Sequence, residues 1–181
     1  PTSGTLAINA NGSNSVSVTA RDAAGTTSAA TTQTLLVDTT LPTVTITDDK
    51  ATTTNGDILY TFTFSEAVSG FTAADISVSA GTPGLFTQVS ASIYQLIVTP
   101  PAGAGNITVG VAAAVAIDAA SNNNTVATDN VQAYDTAAPN APSIAAPAAS
   151  TNDNTVTLTL NAEAGSTVKV YANGVLLGSA S

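Results

Sequence analysis

Leu35–Ile46 reads LLVDTTLPTVTI, and Gln132–Ile144 reads QAYDTAAPNAPSI. Both spell Asp-Thr-x-x-Pro, from Asp38 to Pro42 and from Asp135 to Pro139, and each copy precedes an extended apolar stretch. Asp and Thr are strong turn formers, and Pro fixes the backbone φ of a linker, so the motif reads as punctuation between folded units. The interval it brackets, residues 38–134, has the length of one β-sandwich domain.

Strand signals fill that interval and continue past it. ILYTFTF (Ile58–Phe64) puts Ile58, Tyr60, Phe62 and Phe64 on one face and Thr61 and Thr63 on the other. NITVGV (Asn106–Val111) does the same with Ile107, Val109 and Val111, and NTVTLTL (Asn154–Leu160) with Val156, Leu158 and Leu160. Such period-two alternation marks strands buried on one face. In VYANGVLL (Val170–Leu177) the pair Asn173-Gly174 stands between apolar runs, a strong hairpin signal. VAAAVAIDAA (Val111–Ala120) reads either as a short helical turn or as a bulged strand, and the strand fits slightly better. Many short strands with Gly, Asn and Pro turns between them predict an all-β sandwich architecture.

Neither flank is long enough to bury a core alone, yet the two are complementary. VTARDAAGTTSAATTQTLLVDTT, from Val18, parallels VAIDAASNNNTVATDNVQAYDTA, from Val115, and both run into the next Asp-Thr. Residues 1–37 therefore read as the C-terminal half of a domain and residues 38–134 as a complete one. Residues 135–181, with opening strands and a hairpin, read as an N-terminal half, completed by residues 1–37 of the next repeat or of another chain. The expected organisation is one two-domain period of a tandem array, with GVLLGSAS running on into PTSGTLAI.

Composition removes several function classes. Twelve acids stand against Arg21, Lys50 and Lys169, for a net charge of −9. Three basic residues make no phosphate-tracking groove, so nucleic acid is not an expected partner. The chain has no Cys, His, Met or Trp, which removes thiol and imidazole nucleophiles and soft-metal sites. SAGTPG (Ser79–Gly84) and PPAGAGN (Pro100–Asn106) are glycine turns lacking the Lys of a phosphate loop. With no base–nucleophile pair in view, enzymatic activity is not expected. No window approaches the length of a transmembrane helix, and no signal peptide shows, so membrane insertion is not expected of this segment.

VDTTLP and YDTAAP, RDAAG and IDAASNNN, FTFSEAVSGFTAADISV and GSTVKVYANGVLLG span nearly the whole length. In that order and spacing they resemble the bacterial immunoglobulin-like repeats of large surface adhesins and biofilm-associated proteins. The resemblance implies tandem immunoglobulin-like β-sandwiches in a secreted stalk on the bacterial cell surface, often stiffened by Ca2+ at the domain junctions. The expected partners are neighbouring copies of the same repeat, with extracellular matrix or a host or cell-surface ligand beyond them. Two alternatives stand beside this reading. One is a module that binds glycan, protein or ice, although the chain has no Trp, only Tyr60, Tyr94, Tyr134 and Tyr171, and irregularly spaced Thr. The other is a self-assembling filament subunit joined by strand swapping between chains.

The acids give an independent argument for metal. Glu occurs twice, and Glu66 stands as far after Asp38 as Glu163 stands after Asp135. In a seven-strand sandwich each strand reverses direction, so the loop after the second strand and the loop between the sixth and seventh both return to the pole where the chain enters. Glu66 and Glu163 follow second-strand patterns; Asp118 and Asp22 fall in the late loops. Asp38, Glu66 and Asp118 are thus expected to converge at one pole, and Asp135, Glu163 and Asp22 of the adjoining copy at another. Converging carboxylates raise one another's pKa unless a cation neutralises them, and all-oxygen loop ligands suit Ca2+ better than Mg2+ or Zn2+. Asp75 is a weaker candidate. The plain alternative is that Asp before Thr forms an Asx turn and the loop acids are solvated; Asp48, Asp49 and Asp57, at the opposite pole, are expected to be solvated.

Overall fold

The computed structural model describes residue 8, residues 11–145 and residues 157–180, and it forms two compact units, Pro1–Thr136 and Ala137–Ser181. In the first unit β1 (Gly12–Val18) and β2 (Thr31–Val37) form an antiparallel ribbon ahead of the first Asp-Thr-x-x-Pro. Seven strands follow: β3 (Val44–Asp48), β4 (Ile58–Phe64), β5 (Ile76–Val78), β6 (Thr82–Gln88), β7 (Ile93–Thr99), β8 (Ala104–Val111) and β9 (Asn130–Asp135). They make two antiparallel sheets, one in the order β3-β4-β7-β6 and one in the order β5-β8-β9. A four-strand sheet facing a three-strand sheet in this order is the immunoglobulin-like sandwich, all-β as the alternation requires.

The alternation decides which side chains meet between the sheets. Ile58, Tyr60 and Phe62 on β4 and Ile107 and Val109 on β8 are wholly buried. Burying each such side chain is worth about 1.5–3 kcal/mol. All four phenylalanines and Tyr94 join in one ring cluster centred on Phe71. The Phe71 centroid lies 5.1 Å from Phe64 and 5.1 Å from Tyr94, edge to face in both cases. The Tyr94 hydroxyl donates to the Val68 carbonyl at 3.2 Å, fixing the loop that follows β4. Tyr60, Tyr94 and Tyr134 all belong to this core, and Tyr171 is exposed.

Three sequence expectations are corrected. First, the segment after Val111 becomes a loop, not a bulged strand. Alanine packs weakly on a pleated sheet, and the buried Asn124 meets the loop's backbone groups instead. Its Oδ1 accepts from the Val115 and Ala116 N–H groups at 2.9 and 2.8 Å, and its Nδ2 donates to the Ala112 and Thr125 carbonyls at 2.9 and 2.8 Å. Second, among the described residues of NTVTLTL, 157–159 lie outside any strand and only Leu160 is strand, in β11 (Leu160–Asn161) of the second unit; Asn154, Thr155 and Val156 lie outside the described residues. Third, of Asp48, Asp49 and Asp57 only the last two are exposed as expected, while Asp48 is half-buried; each also holds a hydrogen bond. Asp48 accepts from Asn130 at 2.9 Å, Asp49 from the Leu59 N–H at 2.9 Å, and Asp57 from the Thr99 hydroxyl at 2.7 Å, each tying strand ends together.

The second unit holds β10 (Ser143–Ile144) paired with β11, and a hairpin of β12 (Val168–Ala172) and β13 (Val175–Ala180). Asn173 at φ 48° and Gly174 at φ 81° make its two-residue turn, the positive-φ pair that a type I′ turn demands. Val175, Leu176 and Leu177 on β13 are exposed.

Candidate metal centre

Three loops meet at one pole of the complete sandwich. Asp38 is the first residue after β2, on the linker to β3; Glu66 follows β4; Asp118 lies in the loop between β8 and β9. Their carboxylate oxygens come within 4.8 Å of one another, with Asp118 buried and the other two half-buried. Backbone pairing draws the loops together. Ser69 and Ile117 exchange N–H···O bonds at 2.8 and 3.0 Å, the Ser65 N–H donates to the Thr43 carbonyl at 2.9 Å, and the Thr125 N–H to the Pro42 carbonyl at 2.9 Å.

Each acid is held differently. Asp38 Oδ1 accepts from the Thr40 N–H at 3.0 Å, an Asx turn. The turn reading and the clustered-acid reading therefore describe the same residue, because the turn occupies one carboxylate oxygen. Asp118 Oδ1 accepts from the N–H groups of Ala120 and Asn122, each at 2.8 Å, and its Oδ2 from Asn122 Nδ2 at 2.9 Å. Desolvation alone would push the Asp118 pKa up; these bonds outweigh it and leave the carboxyl below its ordinary value. Glu66 moves the other way, raised first by desolvation and then by the charges of Asp118 and Asp38. Two of the chain's three basic residues are engaged elsewhere: Lys50 pairs with Asp49 at 2.9 Å, and Arg21 donates to the Gly25 carbonyl at 3.1 Å.

The donor set fits a calcium ion. Oxygens bound to one Ca2+ at about 2.3–2.6 Å lie at most roughly 4.6–5.2 Å apart, and these three carboxylates, within 4.8 Å of one another, meet that limit. Mg2+ requires a tighter octahedron and retains more of its water.

The other sequence candidates sit as follows. Asp22 lies in the β1–β2 loop and repeats the backbone pattern of Asp118: its Oδ1 accepts from the Thr26 N–H at 2.9 Å, and the flanking pairs Arg21–Thr27 and Ile117–Asn123 bridge alike. Asp135 closes β9 in the first unit, its N–H bonded to the Thr54 carbonyl at 2.9 Å. Glu163 is in the second unit, where its Oε2 accepts from the Asn140 N–H at 3.2 Å. Asp75 accepts from the Thr72 N–H and hydroxyl at 2.8 and 2.7 Å, capping a 3-10 turn at Ala73–Asp75. Sequence reasoning missed Asn122 and Asn11. Asn122 Nδ2 also donates to the Asp38 carbonyl at 3.0 Å, while Asn11 accepts from the Thr39 N–H at 3.0 Å and donates to the Thr40 hydroxyl at 2.9 Å. The linker is thus clamped from both sides. An Asn run looks like any other turn sequence, so the only signal was the position of Asn122 in the loop that also carries Asp118.

A family model described as a bacterial Ig-like domain matches residues 38–134, more than half of the chain, and the chain belongs to that family. No curated protein matches the chain. Domains of this family are typically extracellular or surface-borne and non-enzymatic. Among the described residues no helix is long and apolar enough to cross a membrane.

Proposed function

We propose that this chain is a structural repeat of an extracellular bacterial adhesin or biofilm fibre, and that Ca2+ at Asp38, Glu66 and Asp118 stiffens the stalk it forms. The carrying observation is the convergence of three carboxylates within 4.8 Å on a linker residue and two loops of the following sandwich. A bound cation neutralises their mutual repulsion. Asp38, already fixed by its Asx turn, then joins the linker to the loops that hold Glu66 and Asp118. Asn11 and Asn122 keep that linker from swivelling, and the buried Pro42 anchors its far end. Adjacent sandwiches joined in this way make a quasi-one-dimensional rod that carries a binding domain or matrix contact away from the cell.

Thermal unfolding of the full chain in millimolar Ca2+ and in chelator tests the metal. At free Ca2+ about a hundred times Kd, a ligand bound only by the folded state stabilises it by about 2.7 kcal/mol, equivalent to a rise of about 10 °C or more in Tm for a domain of this size. Asp38→Ala with Glu66→Ala abolishes the rise. Identical melts in Ca2+ and chelator, with no heat in a calcium titration, would sink the metal site.

The same site sets a pH dependence. The Glu66 pKa is raised in the metal-free fold, so its contribution to stability is present below its ordinary pKa and is lost as pH rises through the raised one. Asp118 is lowered, so its contribution is present above its ordinary pKa and is lost as pH falls through the lowered one. Binding Ca2+ requires Glu66 ionised. The Ca2+-dependent gain in Tm is therefore largest near about pH 7 and shrinks towards about pH 4, beginning at the raised Glu66 pKa. Glu66→Gln lowers the gain and flattens this profile; a gain independent of pH in the wild-type chain would contradict the assignment.

A further inference from the structure

We propose that the complete sandwich holds one internal water molecule between its two sheets, hydrogen-bonded by Tyr60, Asn130 and Asp48, and that this water fastens the first strand of the domain to the last. The site is separate from the calcium pole and rests on neither the metal nor the repeat reading. Along β3 the inward positions Val44 and Ile46 are buried, and period two makes Asp48 the third of them. Asp48 stands directly opposite Tyr60 of β4, so the two side chains share the inward face, with Cβ atoms about 4.5–5.5 Å apart. On β9, Asn130 alternates onto the face of the buried Gln132 and Tyr134. Its Nδ2 donates to Asp48 Oδ2 at 2.9 Å and so bridges the sheets, while Asp48 Oδ1 accepts from the Lys50 N–H at 2.8 Å. Two polar atoms beside this carboxylate are buried without a hydrogen-bond partner among the described residues: the Tyr60 hydroxyl and Asn130 Oδ1. Tyr60 is 0% exposed.

The polarity of these two atoms decides what fits between them. Asn130 Oδ1 can only accept a hydrogen bond. The Tyr60 hydroxyl stays protonated, its pKa pushed up to about 12 by desolvation and then by the charges of Asp48 and Asp49, so it has a proton to donate. The two do not bond to each other, and a buried polar group left unsatisfied is costly. A molecule between them must accept from the phenol and donate to the amide. Water does both, and its second O–H is left for the Asp48 carboxylate, which gives the three hydrogen bonds usual for a buried water. A metal ion takes lone pairs only, so it would leave the phenol's proton unmatched. Asn130 also lines a groove of about 410 Å³ between residues 44–46 and 128–131, a route for exchange with solvent. The place in the fold gives the water its role. After Asp48 the chain leaves the edge of β4 and runs parallel to β9, where Thr54 bridges Tyr134. There the Thr54 N–H donates to the Ala133 carbonyl at 3.2 Å, the Asp135 N–H to the Thr54 carbonyl at 2.9 Å, and Gln132 Nε2 to the Thr52 carbonyl at 2.8 Å. The water ties this crossing to both sheets, through Tyr60 on one and Asn130 on the other.

Magnetic relaxation dispersion of the water oxygen nucleus counts the water molecules that a protein holds for longer than it takes to tumble, and the test reads it on the full chain in chelator. Tyr60→Phe with Asn130→Leu removes both unpartnered atoms and keeps the ring and most of the volume. The expected count falls by one water per chain. An unchanged count overturns the proposal, since Tyr60 and Asn130 are then satisfied by protein neighbours. A second readout does not depend on the variant folding. In the wild-type chain the Asn130 side-chain amide protons give cross-peaks to water of opposite sign in the laboratory and rotating frames, the signature of a bound water as distinct from proton exchange; their absence overturns the proposal. The wild-type melt in chelator is the same in Na+, K+ and choline chloride at equal ionic strength. A Tm that follows the identity of the cation puts an ion at the site and overturns the water.

Discussion

Asn124→Ala lowers the stability of the complete sandwich by about 3–5 kcal/mol in urea unfolding, with little change in m. Asn124 is 2% exposed and its amide makes four hydrogen bonds, two accepted and two donated. Truncation leaves two N–H groups and two carbonyls of the loop without these partners, and an unsatisfied buried group costs about 1–3 kcal/mol. Part of that cost is relieved where water reaches the loop, which keeps the total below the sum of four such penalties. Asn124→Asp is no rescue, since its carboxylate keeps the acceptor and turns a second oxygen on two carbonyls. The change also reaches the site, because the loop that Asn124 organises presents Asp118; calcium titration of the folded variant gives a weaker affinity. A loss under about 1 kcal/mol would mean that the loop holds its shape through backbone pairing alone, by way of Ile117, Ser69 and Asn123.

The parts of this molecule that were legible in the sequence are those governed by period and parity. Four inward residues of β4 at spacing two can face only one way, and Asn-Gly between apolar runs has one common hairpin solution. Strand parity alone returns Glu66 and Asp118 to the pole of Asp38, which is why acids far apart in the chain could be grouped before their loops were known. The illegible parts depend on which polar groups lose water. Nothing in SNNNT distinguishes Asn124, which is buried and replaces a strand's hydrogen bonds, from Asn122, which is half-buried and bonds to Asp38 and Asp118, since both are simply turn formers as sequence. Equal Asp-to-Glu spacing also conceals a difference between the two linkers. Val44 opens β3 six residues after Asp38, whereas Ser143 opens β10 eight residues after Asp135. A second proline, Pro142, has no N–H to give a ladder, so the later strand starts beyond it.

Phe71→Ala is expected to cost about 3–5 kcal/mol, as large an effect as that of Asn124→Ala but by another route. Phe71 is 6% exposed and contacts Phe62, Phe64, Phe86 and Tyr94, with centroids 5.8, 5.1, 6.0 and 5.1 Å away. Its edge-to-face pairs with Phe64 and Tyr94 contribute about 0.5–1.5 kcal/mol each beyond area burial, and rings already packed against one another cannot collapse into the space it leaves. Phe71→Leu, which keeps most of the volume, costs less than half as much; equal losses for the two variants would show that the site relaxes and that ring geometry contributes little. The location matters as much as the magnitude. Phe71 closes the loop that begins at Ser65 and carries Glu66, and the same loop is fixed by the Val68 N–H on the Ala91 carbonyl at 2.9 Å. Calcium affinity should therefore fall less in Phe71→Ala than in Glu66→Gln, since the loop keeps its backbone tie and its carboxylate. Every phenylalanine of the chain belongs to this one cluster, so the ring packing that Phe71 centres lies wholly within the complete sandwich.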